Sequence, residues 1–291
     1  MRTRGLVLSV IVSGLVLAGG HLVVAQDQRT ALLNAERAAA ELSRDSGFTG
    51  AILGRMHRDG ILLWPGAPVV AGPSNLKRFL SSMETGSLQL TWQPLGVELA
   101  RDSSLGITWG VAVASASRHS PEIGSYIAAW RRDGARWTIA AVVFSGLRRL
   151  PKPALSGEIP VSMKALAARG RAGRFIAADL AFARLAADSG AALAFERWAA
   201  PEAVTFGDRG LLTRGPEAIG RAVDFPAGWR WQPVAAGAAG TGDLGWTVGE
   251  ATITSKDAAP THSKYLTIWT RRGDGAVRFL TDGGNPRPGT P

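Results

Sequence analysis

The sequence predicts an α+β protein made of two tandem copies of one domain, and three observations predict it. Landmark residues recur in the same order at near-constant spacing. Each copy reads as helices first and then a run of strands. A short N-terminal stretch, set apart from both copies, carries the pattern of a targeting segment.

The repeat is explicit. Asp45, Ser46 and Gly47 return as Asp188, Ser189 and Gly190, and Gly72-Pro73 returns as Gly215-Pro216, all 143 residues later. Trp92-Gln93-Pro94 returns as Trp231-Gln232-Pro233 at 139, as do Leu105-Gly106, Thr108, Gly110, Tyr126 and Trp130 at Leu244-Gly245, Thr247, Gly249, Tyr265 and Trp269. Asp133-Gly134-Ala135 then matches Asp274-Gly275-Ala276 at 141. Within each copy, residues 31–44 and 175–188 place apolar side chains at helical spacing among Ala, Leu and Glu. Second helices are expected over 48–56 and 191–199, and short strands over 61–64 and 203–206. The two Gly-Pro pairs open third helices, because proline is harmless in a first turn. Four longer strands follow, at 88–94, 106–115, 125–132 and 136–144, and again at 229–234, 245–254, 264–271 and 277–282.

The expected layout is a signal peptide over 1–25, domains over 26–147 and 174–286, a basic Pro/Gly linker over 148–173, and a tail over 287–291. Arg2 and Arg4 precede an apolar run, and Val23 and Ala25 fit a signal-peptidase site before Gln26. The rival to cleavage is an uncleaved anchor, since the apolar run approaches the roughly 20 residues that span a bilayer. Either way the body is expected outside the cytoplasm, in the periplasm or beyond the cell. The chain has no cysteine, which excludes disulfides, thiolate nucleophiles and thiolate metal sites. Its net charge of +10 sits mainly in the linker, where residues 148–174 hold seven basic residues against Glu158. The domains carry almost none of it, so nucleic acid is not an expected partner, and membrane contact is expected only through the signal segment or the linker.

This element order resembles the nuclear-transport-factor-like cone fold, which ketosteroid isomerase and SnoaL-type polyketide cyclases share. The resemblance is to its bacterial branch of unknown function. It is carried by Gly215-Pro216, Trp231-Gln232-Pro233, Leu244-Gly245-Trp246-Thr247, the run from Lys264 to Trp269, and Asp282-Gly283-Gly284-Asn285-Pro286. It implies two tandem cones, each of helices packed on a curved antiparallel sheet around an apolar cavity. Members pair through the outer sheet face, and the strands that are apolar on both faces suggest that this pairing occurs inside one chain. A monomer with an internal pseudo-dimer is therefore expected.

The isomerases' carboxylate base would fall at Trp64 and Gly207, neither of which takes a proton, so that mechanism is disfavoured. Asp282 is the sharper candidate, either as an acid–base group or as a cap that bonds the backbone of Gly283, Gly284 and Asn285. By the spacing of 141, Ala141 stands in its place in the first copy. Trp231, Trp246, Tyr265 and Asp282, with Trp92, Trp109 and Tyr126 in the first copy, are the candidate cavity residues, with ordinary core packing as the rival role of the tryptophans. His57, His119 and His262 lack metal-ligand spacing, and the last two are expected to be exposed. Gly240, Gly242 and Gly245 spell G-x-G-x-x-G but lead into a strand, so they are read as a turn. No cofactor or metal is expected. The reading is an exported binding protein for a small apolar molecule or a partner. The alternative is a cyclase, isomerase or hydrolase acting in the second domain through Asp282.

Overall fold

In the computed structural model, which describes residues 12–83, 89–116, 119–148, 150, 170–223, 228–256 and 258–288, one topology occurs twice. Arg2, Arg4, nearly all of the linker and the end of the tail lie outside the described residues. The first half runs α1 (Val12–Ser46), α2 (Phe48–Arg55), β1 (Met56–Leu63), β2 (Val69–Ala71), α3 (Pro73–Ser82), β3 (Gln89–Leu99), β4 (Leu105–Ala116), β5 (His119–Asp133) and β6 (Arg136–Ser145). The second runs α4 (Gly173–Ser189), α5 (Ala191–Trp198), β7 (Ala199–Phe206), β8 (Leu212–Arg214), α6 (Pro216–Ala222), β9 (Gly228–Ala238), β10 (Leu244–Ser255), β11 (Ala258–Arg271) and β12 (Val277–Pro286).

The repeated landmarks perform repeated jobs. Gly47 and Gly190 both take φ 91, a value other residues reach only with strain, and so turn the chain between consecutive helices. Pro73 and Pro216 sit in the first turns of α3 and α6. Each sheet has six strands, ordered β2-β1-β6-β5-β4-β3 and β8-β7-β12-β11-β10-β9.

Four expectations change. The sheets are mixed, because β6 and β12 lie parallel to β1 and β7. The chain reaches those strands through a helix and a series of hairpins, and so arrives beside the first strand in the same direction. The helix expected over 31–44 is longer: within the described residues α1 spans Val12–Ser46. Among the described residues no helix is long and apolar enough to cross a membrane. Strand β12 does not stop at Asp282, since Gly283, Gly284 and Asn285 continue its pairing with Leu266, Tyr265 and Lys264. Their backbone is spent on the sheet, which removes the capping role considered for Asp282. Register also moves the equivalence: Tyr126 faces Phe144 whereas Tyr265 faces Gly284, so Asp282 answers to Val142 and not to Ala141.

Helices cover one face of each sheet. In the first half Leu32, Phe48, Ile52, Trp64, Phe79, Trp92, Tyr126 and Phe144 fill that space. In the second, Phe175, Phe182, Phe195, Trp269 and Phe279 form its deep end. The other faces of the two sheets meet each other. Ile61, Leu63, Ile107, Ile127 and Val143 join Ala235, Trp246, Val248, Leu266 and Ile268 in one buried cluster. A strand apolar on both faces is thereby covered on both.

Polar contacts set the register of this seam. Asp102 Oδ2 accepts the Thr241 N–H (2.8 Å) and Asp243 Oδ2 accepts the Arg101 N–H (3.1 Å), a reciprocal exchange between equivalent turns. Gly240, part of the G-x-G-x-x-G run, lies so close to Asp102 that a Cβ would meet its carboxylate at 2.4 Å. That run is a turn shaped for the partner half. At the other end Lys264, fully buried, donates to Trp64 O (2.8 Å), Pro286 O (3.0 Å) and Asn285 Oδ1. Asn285 Nδ2 in turn donates to Leu63 O and Phe144 O, both at 2.8 Å. Burial pulls the Lys264 pKa down to about 7, the charge of Arg287 adds to this, and Glu250 opposes it.

Lys264→Met should lower the unfolding free energy by about 2–3 kcal/mol, because buried acceptors lose a charged donor. Lys256→Met, at an exposed position, should stay within about 0.5 kcal/mol of the parent. Urea unfolding midpoints compare the two.

Candidate functional site

Between the helices and sheet of the second half lies a cavity of about 590 Å³. Its walls are aromatic: Phe182 comes from α4, Phe195 from α5, Phe206 from β7, Trp229 and Trp231 from β9, and Tyr265 from β11. Trp231 packs edge-on to Phe182 with ring centres 4.7 Å apart. The floor carries a polar row. Thr205, Asp282 and Thr267 are direct neighbours across β7, β12 and β11, and all three line the cavity.

Asp282 is half-buried, and Thr267 Oγ1 donates to its Oδ2 at 2.5 Å. Removal from water pushes its pKa up to about 7; the Thr267 hydroxyl opposes this, and the charge of Asp179 adds to it. Asp179 stands on the buried stripe of α4, fully covered, and accepts from Trp231 Nε1 and Tyr265 Oη, each at 3.0 Å. Burial raises it to about 6, against the hydrogen bonds of Thr247, Tyr265 and Trp231. Among the described residues its Oδ2 has no hydrogen-bond partner.

The same network stands in the first half. Glu36 accepts from Thr108 Oγ1 at 3.0 Å, and Thr108 accepts from Trp130 Nε1 at 2.9 Å. Thr247 likewise accepts from Trp269 Nε1, at 2.7 Å. Burial raises Glu36 to about 7. What differs is the space beyond the network. Phe48, Trp64 and Phe144 crowd against Trp92 and Tyr126, with ring centres 4.9–6.5 Å apart. At the equivalent positions the second half has Ala191, Gly207 and Gly284. Three rings that plug the first half are absent from the second.

Of the residues proposed from sequence, the structure brings Trp231, Tyr265 and Asp282 together around the cavity. Trp92 and Tyr126 hold the matching positions but are buried in the plugged core. Trp109 and Trp246 are corrected: they belong to the seam between the sheets. Thr108 and Thr247 point inward to the carboxyls, so strand alternation sends their neighbours outward. Each of these tryptophans lies over a glycine, Gly96 or Gly237, where a Cβ would fall within 2.5 Å of the indole. His262 is also corrected, being half-buried at the cavity wall with Nδ1 3.2 Å from Thr252 Oγ1. Sequence reasoning missed Asp179, Thr205 and Thr267. The signal for Asp179 was present: an acid recurs at the 143-residue spacing, Glu36 then Asp179, on otherwise apolar helix faces.

No protein-family model matches this sequence, and no curated protein matches it. Solved structures do. A ketosteroid isomerase-like protein from Erwinia carotovora atroseptica is 15% identical and covers 39% of this chain and 92% of its own, with a TM-score of 0.33. An NTF2-like protein of unknown function from Pseudomonas putida is 14% identical over 45% of this chain and 98% of its own, TM-score 0.36. An LEH-like epoxide hydrolase from M. tuberculosis is 12% identical over 40% and 80%, TM-score 0.32. Each of these spans less than half of this chain. The architecture is α+β, two tandem units of one topology.

The raised carboxyls make stability depend on pH with a definite sign. Each binds its proton more tightly folded than unfolded, so its contribution is complete below the ordinary carboxylate range. That contribution is lost as pH rises through the folded values, about 6 for Asp179 and about 7 for Glu36 and Asp282. The melting temperature should therefore fall between about pH 4 and pH 7. Asp282→Asn should flatten that fall and raise the melting temperature at the upper end. Differential scanning calorimetry across the range reads both effects.

Proposed function

We propose that this chain is a binding protein whose second half holds a small, flat, apolar molecule, while the first half serves as its plugged structural partner. One observation carries the reading: the replacement of Phe48, Trp64 and Phe144 by Ala191, Gly207 and Gly284 on an otherwise repeated frame. Large-to-small changes in a core cost several kcal/mol unless something fills the space. The resulting volume lies within the range of small-molecule sites. In this reading the protein acts as a monomer, its seam standing where other cone proteins use a second chain. Its N-terminal pattern makes it an exported one, with cleavage after Ala25 leaving the buried Leu32, Glu36 and Ala39 of α1 in place.

A second reading, turnover in the same cavity, rests on the Asp282 carboxyl. Its raised pKa suits a group that gives and takes a proton near neutrality. Asp282→Asn with binding kept and turnover lost would favour that reading.

The test of the binding reading is to refill the cavity. Gly207 lies outside the left-handed region, and a Cβ there meets only Leu211 O, at 3.8 Å. Gly207→Trp should fold and lose more than about tenfold in affinity for the neutral apolar dye Nile red. Unchanged dye binding would sink the proposal. The reverse change, Trp64→Gly, should cost about 3–5 kcal/mol in unfolding free energy by hollowing the first half.

A further inference from the structure

We propose that the ligand of the second half carries one basic nitrogen on a flat apolar skeleton, with Asp282 as its counter-ion and the aromatic walls as its cage. The inference rests on the cavity reading above and goes further by naming the ligand's charge.

It follows from which polar atoms around the cavity are already committed. Trp231 Nε1 and Tyr265 Oη both donate to Asp179, so these two side chains offer a ligand their ring faces and not their donors. The Asn285 amide nitrogen is held by Leu63 O and Phe144 O of the first half. Thr267 donates to Asp282 Oδ2. Among the described residues no lysine or arginine lines the cavity. Lys264, although next to Tyr265 in sequence, points into the seam, where its protons go to Trp64 O, Pro286 O and Asn285. A carboxylate or phosphate ligand would find no cation here.

The carboxylate that remains is an acceptor, beside the hydroxyls of Thr205, Thr213, Thr261 and Ser263, which can donate or accept. Asp282 presents its second oxygen without a protein hydrogen bond among the described residues, beside rings whose faces are electron-rich. The groups facing it are few. Asp179 stands behind it from α4, Tyr265 and Thr267 flank it on β11, Thr205 flanks it on β7, and His262 sits on the cavity wall. The residues that α5 and α6 bring to the cavity, Phe195, Ala222 and Val223, are apolar. A carboxylate taken out of water among apolar walls lacks a partner, and an ammonium would supply it. The same ammonium is attracted by the faces of Trp229 and Trp231. Its arrival would hold Asp282 ionised, which removes the cost of its raised pKa.

The competing chemistry uses the same carboxyl in its neutral form, donating a proton to a carbonyl or hydroxyl. The two differ in sign with pH. An amine needs Asp282 ionised and binds better above its folded pKa, whereas a neutral acceptor needs it protonated and binds better below.

The experiment titrates the full chain by calorimetry with three probes of one skeleton: 1-naphthylmethylamine, 1-naphthylmethanol and 1-naphthoate. At about pH 8 the amine should bind at least about tenfold more tightly than the alcohol, with the naphthoate weakest. That preference should shrink to about threefold or less near pH 5, where Asp282 is neutral. Asp282→Asn, confirmed folded by circular dichroism, should erase the amine's advantage at the higher pH and change the alcohol's affinity far less. Equal binding of amine and alcohol at the higher pH overturns the inference and leaves the cavity reading standing. So does an alcohol that binds better at the lower pH through Asp282, which would assign the neutral-donor role. If no probe binds, and Gly207→Trp is indistinguishable from the parent toward Nile red as well, the cavity reading falls and the inference falls with it.

Discussion

The structure depends on covering sheets that are apolar on both faces. Helices cover one face of each sheet, but strands such as β5, β6 and β11 also bear Ile, Val and Leu on the other. Left exposed, that surface would be a large hydrophobic patch. The duplicated chain solves this by turning the two outer faces against each other, so that each half is the other's missing layer. The hydrophobic seam is non-directional, and polar groups supply the direction. Asp102 and Asp243 exchange backbone partners at one, exposed end, and Lys264 and Asn285 tie β11 and β12 to the first half at the other. The Lys264 and Asn285 bonds satisfy groups that would otherwise be costly to bury, and so specify how the halves sit.

Duplication also releases one half from a constraint. A lone domain must balance its ligand space against its core. Here the first half closes its interior with Phe48, Trp64 and Phe144, and the second leaves that space open. The aromatic content of the second half has moved rather than vanished. Phe182 stands where the first half has Ala39, Phe195 replaces Ile52 and Phe279 replaces Ile139. These rings thicken the deep end while the opposite end is hollowed, so the cavity has a firm base beneath it.

Both halves keep a buried acid bound to a Thr–Trp pair, Glu36 in one and Asp179 in the other. In the first half this network lies beneath packed rings. In the second it takes the polar atoms of two wall residues out of play, which sets the chemical character of the cavity. Asp282 is unlike either, since it sits among threonines and opens to the cavity. A carboxyl held at such a cost, in a position where the first half uses valine, is the pattern expected where function overrides stability.

Much of this was legible in the sequence. Repeated landmarks set the duplication, Gly-Pro pairs marked helix starts, and periodicity separated helices from strands, because these signals are local and act over a few residues. Trp231, Tyr265 and Asp282 could be nominated for the same reason, as repeated aromatics and a lone acid in a strand. The tertiary structure decided the rest. The pairing register, which the spacing of the Asp-Gly-Ala turns does not follow, moved the counterpart of Asp282 from Ala141 to Val142. Strand alternation relative to the helices sent Trp109 and Trp246 to the seam, since only packing says which face of a two-faced strand is inner. Two of the vacancies open on the cavity itself, one at a strand end and one on the neighbouring strand, far apart in the chain. Side-chain absences at positions 207 and 284 become one space only when the sheet brings them together.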